Sequence, residues 1–294
     1  MTATHDLRDE LSAFLGEVHA ACAARLRQPA LDAEVVAVLA AALSAHRERA
    51  VGLVAHPAAL LLLVARAEGR ALDEALREAA VGFTLEFLAL CMFDDVADDE
   101  LVGVAAALGP AATNNAALAL YTLALDALSA AGHGAAPGLR AALRACMCEH
   151  LLRAVTGQHR DIRRRDPAGV DEAAAQVIAK TSLIAEIAEF TALLCGAPPE
   201  RARALAAATR HSCLMRQIVN DMRDIYGKPD SGDLRDGRAT VPIVCFRAVA
   251  DAADQARLTA LTAELPATLP EIDALLVRSG AGAAVAGLME RARL

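Results

Sequence analysis

The sequence predicts an all-α fold, a single-domain multi-helix bundle around a deep central cavity, on three observations. Alanine and leucine dominate, hydrophobic residues make up 55% of the chain and aromatic residues 3%, so helix formers are abundant and strand formers scarce. Apolar positions recur at helical spacing along almost the whole length, the pattern of helices with a buried face. Breaks rich in Gly and Pro are short, and none is long enough for a flexible linker. Large single-core helical folds reach 294 residues, so one domain over residues 1–294 is the simplest organisation.

The periodicity predicts helices at 5–27, 31–46, 57–69, 72–95, 97–107, 113–131, 136–158, 171–195, 198–226, 239–251, 253–263 and 268–292. Gly109-Pro110 divides the fifth from the sixth, and Gly132 to Gly138 the sixth from the seventh. Asp166-Pro167 with Gly169, then Gly196 to Pro199, bound the eighth, and Gly227 to Gly237 closes the ninth. Helices this rich in Ala and Leu approach closely and need neighbours on several sides, which predicts a bundle.

Net charge is −8, with no block of Lys or Arg, which argues against nucleic acid as a partner and against docking on anionic lipid. The apolar stretch Ala58 to Ala65 is too short to span a bilayer and runs directly into Arg66, Glu68 and Arg70. The N-terminus carries Asp6, Arg8, Asp9 and Glu10, unlike a secretory signal, so a cytoplasmic location is expected. The seven cysteines lie in apolar surroundings, and Cys146/Cys148 has no matching second pair of metal-binding type; all seven are read as reduced core residues.

The segment Cys91-Met92-Phe93-Asp94-Asp95-Val96-Ala97-Asp98-Asp99-Glu100 places five acids at the end of a strongly apolar helix. Asp94 and Asp98 are spaced i, i+4, as are Asp95 and Asp99. Like charges so placed repel, and a divalent cation with oxygen ligands relieves that cost. Mg²⁺ suits the role, being bound by a few carboxylates together with substrate phosphate oxygens. A solvated acidic helix end is the plain alternative. The apolar run Phe83 to Leu90 that precedes the acids favours a site at the mouth of a bundle.

A second cluster follows at Gln217-Ile218-Val219-Asn220-Asp221-Met222-Arg223-Asp224-Ile225-Tyr226-Gly227-Lys228-Pro229, continuing into Gly232-Asp233-Leu234-Arg235-Asp236-Gly237-Arg238-Ala239-Thr240-Val241-Pro242. Between the clusters stand Gly157-Gln158-His159-Arg160-Asp161-Ile162 and Lys180-Thr181. Taken in this order, the four segments resemble the trans-isoprenyl diphosphate synthase family over roughly residues 40 to 250. The resemblance implies the all-α isoprenoid synthase fold, with two aspartate-rich motifs facing each other across a deep pocket. It implies an isoprenoid diphosphate substrate and Mg²⁺, three ions with the diphosphate. Asp94, Asp95, Asp98, Asn220, Asp221 and Asp224 become the catalytic set, with Asp94, Asp98, Asn220 and Asp224 ligating metal. Gln158, Lys180, Thr181, Gln217, Tyr226, Lys228 and Arg238 become substrate contacts. Phe87, Ala89 and Leu90 line the tail pocket, and the family leads one to expect a homodimer.

The chain also departs from that family. Its lysine- and glycine-containing segment should fall near Ser44 to Ala50, where Arg47 and Arg49 are the cations present. The family histidine seven positions before the first motif aspartate is Phe87, and the arginine pair after the motif is replaced by Glu100 to Gly109. Each lost charge-assisted contact to a diphosphate is worth roughly 1.5–3 kcal/mol. The resulting expectation is a class I terpene synthase, a lyase that ionises an allylic diphosphate, C20 favoured over C15, without a second prenyl partner. Asn220 in place of an aspartate points the same way, whereas Asp224 and Lys228 do not. The alternatives are a prenyltransferase using isopentenyl diphosphate and a non-catalytic subunit of such an enzyme. Retention of two carboxylate clusters speaks against the subunit.

Overall fold

The computed structural model describes residues 2–49, 56–99, 101–163, 166–227, 232–235 and 237–293. Among these the chain forms helices throughout and no strand, as composition predicts. In order they are α1 (Thr2–Arg25), α2 (Ala33–Arg49), α3 (Pro57–Ala67), α4 (Glu74–Ala97), α5 (Gly103–Ala131), α6 (Pro137–Ile162) and α7 (Val170–Lys180). There follow α8 (Ser182–Leu194), α9 (Pro199–Gly227), α10 (Gly232–Arg235), α11 (Val241–Val249), α12 (Ala252–Thr262), α13 (Leu269–Arg278) and α14 (Ala281–Arg293).

Four boundaries differ from the sequence pattern. The expected helices 97–107 and 113–131 form one element, α5, bent where Gly109 takes φ 74° ahead of Pro110. A left-handed residue bends a helix without ending it when the flanks are strongly helical. The expected helix 171–195 breaks at Thr181 into α7 and α8, and the expected helix 268–292 breaks at Ser279-Gly280 into α13 and α14. The short α10 lies in a stretch where no helix was expected.

Contacts divide the chain into two compact units: Met1–Glu149 with Glu186–Ala206, and His150–Ala185 with Ala207–Leu294. In the first unit, α4 packs along α5 and against α1 and α3. It is set by Asp73, whose carboxylate accepts from the Leu76 N–H as N-cap. Twelve of its residues, from Leu76 to Met92, are buried. Each large apolar side chain so placed stabilises the fold by roughly 1.5–3 kcal/mol. In the second unit Leu214 and Ile218 of α9 join Ala173 and Ala174 of α7, Val241, Val244 and Cys245 of α11, and Val285, Leu288 and Ala292 of α14 in one core. That core fixes the faces of α9 that carry Gln217, Asn220, Asp221 and Asp224.

No single helix among the described residues is long and apolar enough to cross a membrane. Together α13 and α14 would reach that length, but they bend by 65° at their break. The cysteines are free; Cys22, Cys146, Cys213 and Cys245 are buried, whereas Cys148 is exposed and is not a core residue.

Candidate active site

In the first unit the acids gather where α4 ends. Asp98 is the C-cap, its backbone N–H donating to the Asp94 carbonyl at 2.9 Å, so the side chains at 94 and 98 follow one another by a single turn. Asp94, Asp95 and Asp98 are half-buried. Asp99 turns to φ 58° and leaves the helix, so the expected helical pair Asp95/Asp99 does not form. No basic residue occupies the last turn of α4, and the helix dipole is negative at this end. Carboxylates here are disfavoured twice, by each other and by the dipole, and a cation removes both costs.

Back along α4, Leu90 is half-buried, Ala89 fully buried and Phe87 half-buried. The Phe87 ring stands 5.6 Å from that of His46, which belongs to a trio with His19 and His56 at centroid separations of 5.2, 5.5 and 6.3 Å. The Ala58 N–H donates to His56 Nδ1 at 3.1 Å, which makes His56 the N-cap of α3. The ring proton of neutral His56 therefore sits on Nε2, 3.3 Å from His19 Nε2, and donates to it. Burial and the neighbouring imidazoles of His46 and His19 hold His56 down at about 3, so it stays neutral. Sequence reasoning missed this trio because its members come from three separate elements.

Sequence reasoning also missed Glu86 of α4 and Glu186 of α8, both buried in the first unit. A lone acid inside an apolar run was the signal available. Burial pushes Glu86 up to about 8 and raises Glu186 well above the carboxylate range.

In the second unit Asn220 is exposed while Gln217 and Asp224 are half-buried. Asp221 is buried and has partners of its own: Gln217 Nε2 donates to it at 2.7 Å and the Val241 backbone N–H at 3.2 Å. Burial pushes Asp221 up to about 6, against those two hydrogen bonds and with the charges of Asp233 and Asp224. It braces the first turn of α11 as well as standing in the motif. Arg238 pairs with Asp233 at 3.4 Å. Tyr226 lines an apolar groove of about 510 Å³ with Ile218, Met222, Val285 and Met289, apart from Asn220, Asp221 and Asp224. Lys228 and the side chains of Arg47 and Arg49 lie outside the described residues.

Two other segments of this unit come together at Gly157. A Cβ there would fall 2.3 Å from the backbone nitrogen of Lys180 and 2.7 Å from its Cα. Only glycine permits this approach of α6 to the end of α7. It brings Lys180 Nζ to 2.6 Å from Asp161 Oδ2, with Gln158 half-buried beside Gly157. Thr181, at the α7–α8 break, donates to the Val177 carbonyl at 2.8 Å.

The donor set of each cluster, carboxylate and amide oxygens on one helix end, fits a hard divalent cation such as Mg²⁺ and no soft metal. The sequence profile of the polyprenyl synthetase family matches residues 55–276, a span that includes both clusters, Gly157 and Lys180. The chain belongs to the polyprenyl synthetase family. Over 139 residues it is 34% identical to the (2E,6E)-farnesyl diphosphate synthase of Mycobacterium tuberculosis (strain ATCC 25618 / H37Rv), covering 42% of this chain and 38% of that relative's length. Its fold superposes with a TM-score of 0.82 on geranylgeranyl pyrophosphate synthetase from Pyrococcus horikoshii Ot3, at 20% identity over 98% of this chain and 90% of that one. Geranylgeranyl pyrophosphate synthase from Corynebacterium glutamicum, complexed with calcium and isoprenyl diphosphate, gives 0.75 at 25% identity over 98% and 88%.

These relatives of the polyprenyl synthetase chain are diphosphate synthases, which overturns its reading as a class I terpene synthase or lyase. That reading rested on three altered segments, Ser44 to Ala50, Phe87 and Glu100 to Gly109, and on Asn220. In space, an imidazole from α2, His46, stands beside Phe87.

Proposed function

We propose that this chain is a prenyltransferase that condenses an allylic isoprenoid diphosphate with isopentenyl diphosphate, Mg²⁺ being held by Asp94 and Asp98 and by Asn220 and Asp224. The observation that carries the reading is electrostatic. The first motif sits at the C-terminal end of α4, and the second in the last two turns of α9, neither with a basic residue in its last turn, which favours a bound cation. Membership of the polyprenyl synthetase family supports it.

Bound there, Mg²⁺ ions, three in the fully loaded enzyme, would neutralise charge building on the departing diphosphate. Lys180, steadied by Asp161, and Arg238, steadied by Asp233, add hydrogen-bond donors to the same oxygens. In the reaction the allylic C–O bond breaks and its electron pair leaves with diphosphate. The double bond of isopentenyl diphosphate supplies the pair for the new C–C bond, and a proton is then lost to the released diphosphate. The imidazole of His46 beside Phe87 supports a place for the second diphosphate in the first unit.

Purified protein with Mg²⁺ and geranyl, farnesyl or geranylgeranyl diphosphate, each with and without isopentenyl diphosphate, tests the proposal. Lengthened diphosphates formed only when isopentenyl diphosphate is present, and lost in Asp94→Ala, are expected. Hydrocarbon or alcohol from an allylic diphosphate alone would refute it.

The active form is a homodimer in this reading. Leu118 and Leu125 of α5 are exposed by 57% and 38%, spaced seven apart as in a helix-pairing seam, and light scattering on the purified protein measures the mass. Free cysteines, one of them exposed, accord with the cytoplasm.

A further inference from the structure

Among the described residues, one group of thiol, imidazole and carboxylate side chains gathers its donor atoms. Cys146 and His150 of α6 and Glu189 of α8 each bring one donor atom within 4.8 Å of the other two. Cys146 and His150 are spaced i, i+4 and share a face of α6. Both are buried, His150 to 1% exposure, and Glu189 is half-buried. Cys146 is in no disulfide. None of the three belongs to either aspartate cluster.

The imidazole is oriented from behind. His150 Nδ1 lies 2.9 Å from Oγ of Ser182, the first residue of α8, and Ser182 is itself buried. A proton on Nδ1 donates to that hydroxyl and leaves the lone pair of Nε2 for another partner. A ring fixed through its second nitrogen is the usual support of a metal-ligating histidine. One turn before Glu189, α8 carries Glu186, fully buried, with both carboxyl oxygens lacking a hydrogen-bond partner among the described residues. Burial raises its carboxyl well above the usual range, and the charges of Glu86, Cys148 and Glu189 add to that. A cation beside Glu189 offsets this repulsion.

We propose that Cys146, His150 and Glu189 hold a single Zn²⁺ ion, which fastens α8 to α6 and is distinct in its ligands from the aspartate clusters. Thiolate, imidazole and carboxylate are the donors zinc combines, and a fourth position is left to water beside the half-buried Glu189. Mg²⁺, which takes oxygen donors, is a poor fit for the thiolate. In tetrahedral zinc, with Zn–S of about 2.3 Å and Zn–N of about 2.0–2.1 Å, donor atoms stand roughly 3.3–3.8 Å apart. Donors within 4.8 Å of one another are thus at most about 1.5 Å from closure, a shift that side-chain rotation supplies. The ion replaces the thiol proton, which passes to solvent.

The test titrates metal-stripped protein with Zn²⁺ against a chromophoric chelator, in excess Mg²⁺ to fill the aspartate clusters. Wild type should bind one zinc per chain, and Co²⁺ in its place should give a thiolate-to-cobalt charge-transfer band in the near ultraviolet. Cys146→Ser and His150→Gln should each weaken zinc binding roughly a hundredfold or more, the upper end of what losing even an outer partner costs. The cobalt band should vanish in Cys146→Ser and persist in Cys148→Ser, and Zn²⁺ should raise the melting temperature of wild type but not of Cys146→Ser. Less than one zinc per chain, no charge-transfer band, or undiminished binding in folded Cys146→Ser overturns the site. Should Cys146→Ser fail to fold, His150→Gln is read in its place: loss of tight zinc binding upholds the site and its retention overturns it. None of these readouts uses prenyl transfer, so the result stands apart from the reading under Proposed function.

Discussion

Gly157 and Lys180 approach so closely that a Cβ on the first would sit 2.3 Å from the backbone nitrogen of the second. The neighbours are backbone atoms of the α7 end, which cannot swing aside as a side-chain tip would. By helix propensity alone, Gly157→Ala within α6 should gain about 1 kcal/mol. The contact reverses the sign: a forced shift of packed backbone costs roughly 1–3 kcal/mol or more. Thermal unfolding of Gly157→Ala is expected to show net destabilisation, with product formation falling further because Lys180 moves.

Lys180 reaches Asp161 at 2.6 Å, with both side chains partly exposed, so their pairing adds little to stability. Under the proposed function, its use is to hold the ammonium for a diphosphate. Lys180→Ala should raise KM for the allylic diphosphate roughly ten- to hundredfold, the range of one charge-assisted contact, with an unchanged melting temperature. Lys180→Arg should recover part of the loss, and steady-state kinetics on the three proteins decides.

How much of this was legible in the sequence differs from element to element. The periodicity of α4 and α9 and the two acid clusters could be read directly, because a helix repeats every 3.6 residues and concentrates its signal locally. The break at Thr181 could not, since Lys180-Thr181 contains no Gly or Pro; crowding by Gly157 accompanies it in space. Gly157 was visible as part of a motif, but its partner was not. Phe87 is a similar case: His46, from another helix, stands 5.6 Å from its ring, a proximity that reading one position along the chain cannot reveal.

Asp221 illustrates a residue with structural partners inside a proposed metal-binding motif. Its carboxylate accepts from Gln217 and from the Val241 N–H at the start of α11. Asp221→Ala should destabilise the protein by about 1–3 kcal/mol through the buried N–H left unpaired. Asp221→Asn, which keeps an acceptor oxygen, should cost less, and denaturant midpoints for the two variants measure the difference.

Glu86 sets a pH dependence of stability. Its folded value, pushed up to about 8 mainly by burial, lies above the unfolded value near 4.5. The native state therefore binds the proton more tightly. The stabilising contribution is complete below about pH 4.5 and is lost as pH rises towards 8, after which it levels off. One group contributes at most about 1.4 kcal/mol per pH unit. Unfolding free energies between pH 5 and 9 should fall more steeply for wild type than for Glu86→Gln, and parallel curves would remove Glu86 as the cause.

The most direct measurement of the central claim counts diphosphate released from geranyl diphosphate against isopentenyl diphosphate consumed, in the presence of Mg²⁺. Condensation predicts one diphosphate released for each isopentenyl unit consumed, almost none when that partner is omitted, and loss of both in Asp94→Ala and Asp224→Ala. Release that proceeds at the same rate without isopentenyl diphosphate would contradict the account.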